Sequence, residues 1–142
     1  MPPRVRSKAR RPAERDYSHR SLLDKLGVKT EQRIAVLGID DASFLSELGR
    51  RVSGYLRQLP QESMDLILVA AEATTDLPRL KALAKAIEKN GAVWVIYPKG
   101  RQQIREVDVI AAGKSAGLVD NKVCRFSDTH TALRLVIPLS KR

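Results

Sequence analysis

Cysteine, histidine and aromatic side chains are scarce in this chain of 142 residues. One cysteine, Cys124, rules out an internal disulfide, and a lone thiol in an apolar run reads as a small buried hydrophobe. That usage fits a reducing compartment, so a cytoplasmic protein is the expectation. The two histidines, His19 and His130, and the single cysteine have no ligand spacing for zinc, so no metal site is expected. Aromatic residues make up 4% of a chain that is 43% hydrophobic, so its core must be built from Leu, Ile, Val and Ala. No apolar run approaches the ~20 residues of a membrane helix, and the start has no apolar segment of signal-peptide type. No membrane contact is therefore expected. The patterns G-x-G-x-x-G and G-x-x-x-x-G-K-[ST] are absent, and the G-x-S-x-G spacing of Gly113-Lys114-Ser115-Ala116-Gly117 falls at an expected helix end instead of a strand-to-helix turn. The chain therefore lacks the usual sequence marks of dinucleotide binding, P-loop phosphate binding and nucleophile-elbow hydrolysis.

What is abundant is positive charge, and it is unevenly spread. The formal net charge is +10, and residues 1–20 supply +5 of it. That stretch carries Arg4, Arg6, Lys8, Arg10, Arg11, Arg15 and Arg20 against Glu14 and Asp16, with three prolines and almost no apolar side chain. It cannot bury enough surface to offset its ordering entropy, so a disordered basic arm is expected. Arg4, Arg6, Lys8, Arg10 and Arg11 are candidates for weak, non-specific polyanion contact, nucleic acid included, through counterion release. The plainer reading is a solubilising extension. Pro2, Pro3 and Pro12 argue against an amphipathic transit helix.

Residues 21–142 read as one α/β domain. A short helical turn at 22–26 is stopped by Gly27. Apolar runs at 34–39, 66–71, 92–97, 118–126 and 132–137 read as strands. Between them, helices are expected from 41 or 43 to about 52, over 79–89, and over 103–116. Asp41 or Ser43 should cap the first of these. Leu80, Leu83, Ala84 and Ile87 should form the inner face of the second, with Asn90-Gly91 as its left-handed stop. Residues 55–62 read as a connection. Strands joined by helices should be parallel, and the fifth, following a short turn, should be antiparallel to the fourth. The expectation is an open, mostly parallel, five-stranded Rossmann-like sheet with helices on both faces and an antiparallel last strand.

The segments DLILVAAE (65–72), NGAVWVIYPKG (90–100) and GKSAGLVD (113–120), followed by a strand, a turn and a final strand, resemble the second half of the class I S-adenosylmethionine-dependent methyltransferase fold. More narrowly, DYSHRSLLDKLGVKTEQRIAVLGID (16–40), VWVIYPKG (93–100) and AGLVDNKVCRFSDTHTALRLVIP (116–138) resemble a family of small bacterial proteins without an established activity. The resemblance implies a truncated methyltransferase-like domain with strand order 1-2-3-5-4. It also implies missing parts. The first turn keeps Gly38 alone, where such enzymes use several glycines to let the backbone approach the cofactor. The two strands that would follow the first have no counterpart, nor does the ribose-binding acid at the end of one of them. No cofactor is therefore expected, and S-adenosylmethionine is the one candidate the resemblance supplies.

Strand 1 then lies at the sheet edge, where unpaired backbone groups invite association. Cover by residues 17–29, a homodimer across this edge, or an unknown protein partner would satisfy it.

Ligands in open α/β sheets bind beyond the carboxyl ends of the strands. Asp40, Asp41, Glu72, Lys99, Gly100 and His130 all fall there, with Tyr97, Asp128 and Thr129 beside them. They form one candidate ligand-binding group, with Lys99 the expected contact for an acidic ligand. The plain alternative is a set of solvated loop residues. Trp94 is expected in the core with its N–H bonded, and Asp120, Asn121 and Lys122 in a helix-to-strand turn. These readings lead to a non-catalytic binding or interaction module on a truncated methyltransferase-like scaffold. A cleft enzyme or S-adenosylmethionine binder, and a nucleic-acid-associated protein acting through the arm, stand beside it.

Overall fold

The apolar run that follows Arg33 forms β1 (Ile34–Leu37), and all four of its residues are buried, as a strand covered on both faces requires. In the computed structural model, which describes residues 21–142, this strand is followed by α2 (Ala42–Arg51), β2 (Met64–Ala70), a 3-10 segment (Thr74–Arg79), α3 (Leu80–Ala84) and β3 (Ile87–Pro98). Then come α4 (Glu106–Ser115), β4 (Val119–Arg125) and β5 (His130–Val136), with a last 3-10 turn at Leu139–Lys141. A short α1 (Leu22–Leu26) precedes them, ended by Gly27 in the left-handed conformation. The arm candidates Arg4, Arg6, Lys8, Arg10 and Arg11 lie outside the described residues.

The five strands form one sheet in the order β1-β2-β3-β5-β4. The β1–β2 and β2–β3 pairs are parallel, and β5 is antiparallel to both of its neighbours. This is the expected architecture, the last strand included. Strand pleating divides the buried residues between two faces. Val93, Val95 and Tyr97 of β3 join the core beneath α3 and α4, with Leu80, Leu83 and Val109. Trp94 and Ile96 join the opposite core beneath α1 and α2, with Leu26, Phe44 and Leu48. Trp94 is fully buried, and its indole N–H donates to the Leu26 carbonyl at 3.0 Å.

Several local expectations are corrected. The helix expected over 79–89 ends at Ala84, and Ile87 begins β3 instead of completing a helical face. The reason is β2: Met64 N–H donates to Ala86 O, and Met64 pairs with Ile87. An α-helix running through 87 would leave those groups unpaired. Gly91 is not a left-handed stop. It lies inside β3, where a Cβ would sit 2.9 Å from Asp65 O and 3.1 Å from both Met64 O and Glu88 O. Its role is close approach of two backbones at the register shift between Met64 and Leu66. Helix α4 begins at Glu106, later than expected, because Arg101 and Ile104 close a bridged turn first. His130, expected in a turn, is the first residue of β5.

The edge of β1 is covered by a segment the sequence reading left as a connection. Leu56 donates to Ile34 O at 2.9 Å and accepts from Val36 N–H at 2.7 Å. Arg57 then donates to Val36 O at 3.2 Å and to Ile39 O at 2.7 Å. Of the segment expected to supply this cover, α1 packs on the sheet face instead, with Leu23, Leu26 and Val28 buried there. At the opposite edge, β4 exposes nearly all its residues and carries charges and a register shift between Asp120 and Lys122. Those are two of the devices that discourage edge-to-edge pairing. Lys122 reaches across to donate to Lys25 O at 3.1 Å.

Candidate functional site

Two clefts open beyond the carboxyl ends of the parallel strands, and the sheet separates them. The first lies over β1, β2 and β3 on the α2 side, with a volume of about 230 Å³. Its floor is Gly38, Ala70 and Ile96, and Phe126 forms a wall. Phe126 is held there by Phe44, ring centroids 5.0 Å apart. Gly38 has φ +76°, so the turn after β1 takes a conformation that L side chains resist. Asp41 is the N-cap of α2, its carboxylate accepting from Phe44 N–H at 3.0 Å. That is a structural task, and it removes Asp41 from the free groups of the cleft. Asp40 pairs with Arg57 at 3.2 Å, the same side chain that bonds the carbonyls of the β1 edge.

The polar centre of this cleft is a chain of three side chains. His130 Nε2 lies 3.1 Å from Glu72 Oε2, and its Nδ1 lies 2.8 Å from the Thr129 hydroxyl. The β4–β5 turn orients them: Ser127 Oγ accepts from the backbone N–H of Thr129 at 3.3 Å and of His130 at 3.2 Å. Arg125 and Asp128 are ion-paired in the same turn. A carboxylate on one ring nitrogen and a hydroxyl on the other fix the imidazole's orientation. With Glu72 accepting, Nε2 carries the proton and Nδ1 accepts from Thr129. Such a set can pass a proton or hold a polar ligand group at the cleft floor.

The second cleft lies on the α4 side, with a volume of about 460 Å³. It is formed by Tyr97, by the turn Lys99-Gly100-Arg101, by the start of α4 and by Thr131. Tyr97 and Thr131 are direct partners in the β3–β5 register, so their side chains stand side by side. Burial, and next to it the Glu106 carboxylate, pushes the Tyr97 phenol above its ordinary value, which keeps it a neutral donor.

The candidate group read from sequence is thus split. Asp40, Asp41, Glu72 and His130 come together in the first cleft, and Lys99 and Gly100 line the second. The cause is the pleat: His130 pairs with Pro98, Thr131 with Tyr97, and successive residues point to opposite faces. Arg57, Thr131, Arg101 and Arg105 escaped the sequence reading. Of the second cleft, Tyr97, Lys99 and Gly100 were legible as a strand end, while the basic residues at 101 and 105 lie around the expected start of a helix.

No family model matches the chain, and no curated protein does. Solved structures do. A putative methyltransferase from Thermoplasma acidophilum superposes with a TM-score of 0.62 at 6% identity, covering 79% of this chain and 70% of that one. The magnesium protoporphyrin IX methyltransferase of Synechocystis, solved with bound SAM, gives 0.58 at 12% identity, covering 79% and 73%. The ribosomal protein L11 methylase of Lactobacillus delbrueckii gives 0.55 at 13%, covering 81% and 74%. At these identities the likeness is one of fold, and the fold is that of a methyltransferase-like Rossmann domain.

Proposed function

We propose that this chain is a non-catalytic binding or interaction module built on a methyltransferase-like scaffold. The observation that carries this reading is the small volume of the first cleft. Small-molecule sites typically occupy about 300–1,000 Å³, and this one holds about 230 Å³. Beside it, Arg57 spends its donors on Val36 O, Ile39 O and Asp40. In the resemblance drawn from sequence, the space beside strand 1 is where the ribose-binding acid would stand; here residues 55–57 fill it. The missing glycines of the first turn point the same way.

A second reading, S-adenosylmethionine binding, is supported by the SAM-bound neighbour of similar fold and by Gly38 at the turn after β1. Thermal melting of the full chain with and without millimolar S-adenosylmethionine separates the two. A ligand at about 100 times its Kd adds roughly 2.7 kcal/mol, several degrees for a domain of this size. The module reading expects no shift. A shift of that size, lost in Gly38→Val, would establish the cofactor reading in its place.

A further inference from the structure

We propose that the second cleft is a binding site for a small phosphomonoester, held by Lys99, Arg101, Tyr97 and Thr131. This deepens the module reading by naming a ligand class. It rests on a different cleft from the S-adenosylmethionine test, so either can fail alone.

The first observation is an unpaired donor. Tyr97 is only 4% exposed, lines the cleft, and donates its hydroxyl hydrogen bond to no described residue. Buried polar groups in native proteins are nearly always paired, and leaving one unmade carries a stability cost. Lining the cleft, this hydroxyl is a donor that a ligand entering it can use. Thr131, its cross-strand partner, supplies a second hydroxyl on the same wall.

The second observation is charge. Lys99 and Arg101 line the cleft and form no ion pair with any described residue. Arg105 also lines it, tied on one side to Asp108 at 3.6 Å. With Arg105 offset by Asp108, the cations left unpaired among the described residues are Lys99 and Arg101, and one carboxylate, Glu106, shares the cleft with them. A phosphomonoester carries about −1.5 to −2 at neutral pH and three strong acceptor oxygens. It matches the two unpaired cations, Lys99 and Arg101, and a wall of donors. Glu106, whose charge bears on the Tyr97 phenol, repels phosphate, so the phosphate lies toward Lys99 and Arg101 and Glu106 accepts from a hydroxyl on the rest of the ligand beside Tyr97. The class is therefore a small phosphorylated polyol rather than inorganic phosphate alone, and the cleft volume of about 460 Å³ accommodates one.

The test is calorimetric titration of the full chain with glycerol phosphate at fixed ionic strength, with inorganic phosphate, glycerol and malonate as comparisons. Saturable one-to-one binding is expected, tighter than for any of the three. Lys99→Ala with Arg101→Ala should weaken it by about tenfold or more, and Tyr97→Phe by at least about threefold. Tyr97→Phe keeps the packing, so it should melt no lower than the parent and could not lose binding by unfolding. Absence of saturable binding overturns the proposal. So does binding that survives Tyr97→Phe, which would reduce the site to diffuse charge. Equal affinity for malonate overturns the phosphate assignment.

Discussion

The indole of Trp94, in the central strand β3, donates to the backbone carbonyl of Leu26 at the end of α1, 68 residues away. That bond fixes the first described helix to the middle of the sheet. In Trp94→Phe the Leu26 carbonyl would lose its partner in a buried setting, and the ring would leave space behind. A loss of about 2–4 kcal/mol is expected. Urea unfolding followed by circular dichroism measures it, and a loss below about 0.5 kcal/mol would show that α1 is not anchored there.

Leu56 and Arg57 predict the behaviour of the β1 edge. Leu56→Pro removes the N–H that satisfies Ile34 O, and Arg57→Ala removes the donors on Val36 O and Ile39 O. Each should cost about 1–2 kcal/mol. The proline variant should also self-associate, because it reopens an apolar edge. Light scattering across a concentration series reads this. A parent that is already a dimer, unaffected by both changes, would place the association elsewhere.

Two glycines should respond with opposite signs. Gly91→Ala forces a methyl within 2.9–3.1 Å of three backbone carbonyls, which cannot move as a flexible side-chain tip can. It should destabilise by roughly 1–3 kcal/mol. Gly49 lies within α2, with nothing near its would-be Cβ. Gly49→Ala should stabilise by roughly 0.5–1 kcal/mol through helix propensity. Melting temperatures of the two variants against the parent settle the signs.

Cys124 carries a pH prediction. Burial pushes its thiol above the ordinary value, against the opposing pull of Lys122 and Lys25. At mildly alkaline pH it should react with iodoacetamide more slowly in the folded chain than in urea. The folded state holds the thiol proton to higher pH than the unfolded state does. The stability this contributes is therefore complete below the unfolded thiol pKa and fades as pH rises through the folded one. Cys124→Ala should flatten that part of the stability profile. An unchanged profile would mean that the thiol is as solvated folded as unfolded.

The comparison of sequence with structure turns on particular residues. The alternation of strands and helices was legible because apolar runs of six residues, and one of nine, are separated up to the fourth by amphipathic stretches of helical period. A cap at Asp41 or Ser43, of which Asp41 is the one formed, the stop at Gly27 and the buried Trp94 were legible because each follows from local chemistry. Gly91 was misread because a helix stop and a close backbone approach both select glycine, and only the carbonyls of Met64 and Asp65 distinguish them. Leu56 and Arg57 gave no signal, since a two-residue bridge and an arginine on backbone oxygens leave no periodic trace.

The candidate site was half legible in the same sense. Its residues could be placed at the strand ends but not on a face. The sequence by itself determined the class of fold, the number and direction of the strands, and the polar character of their carboxyl ends, because these depend on spacing and local propensity. Only the tertiary structure decided which of those polar groups meet. The β3–β5 register sets Pro98 against His130 and Tyr97 against Thr131. A shift of one residue would exchange the two faces. Pairing between distant strands fixes that register. So His130 joined Glu72 in one cleft, and Lys99 was turned to the other.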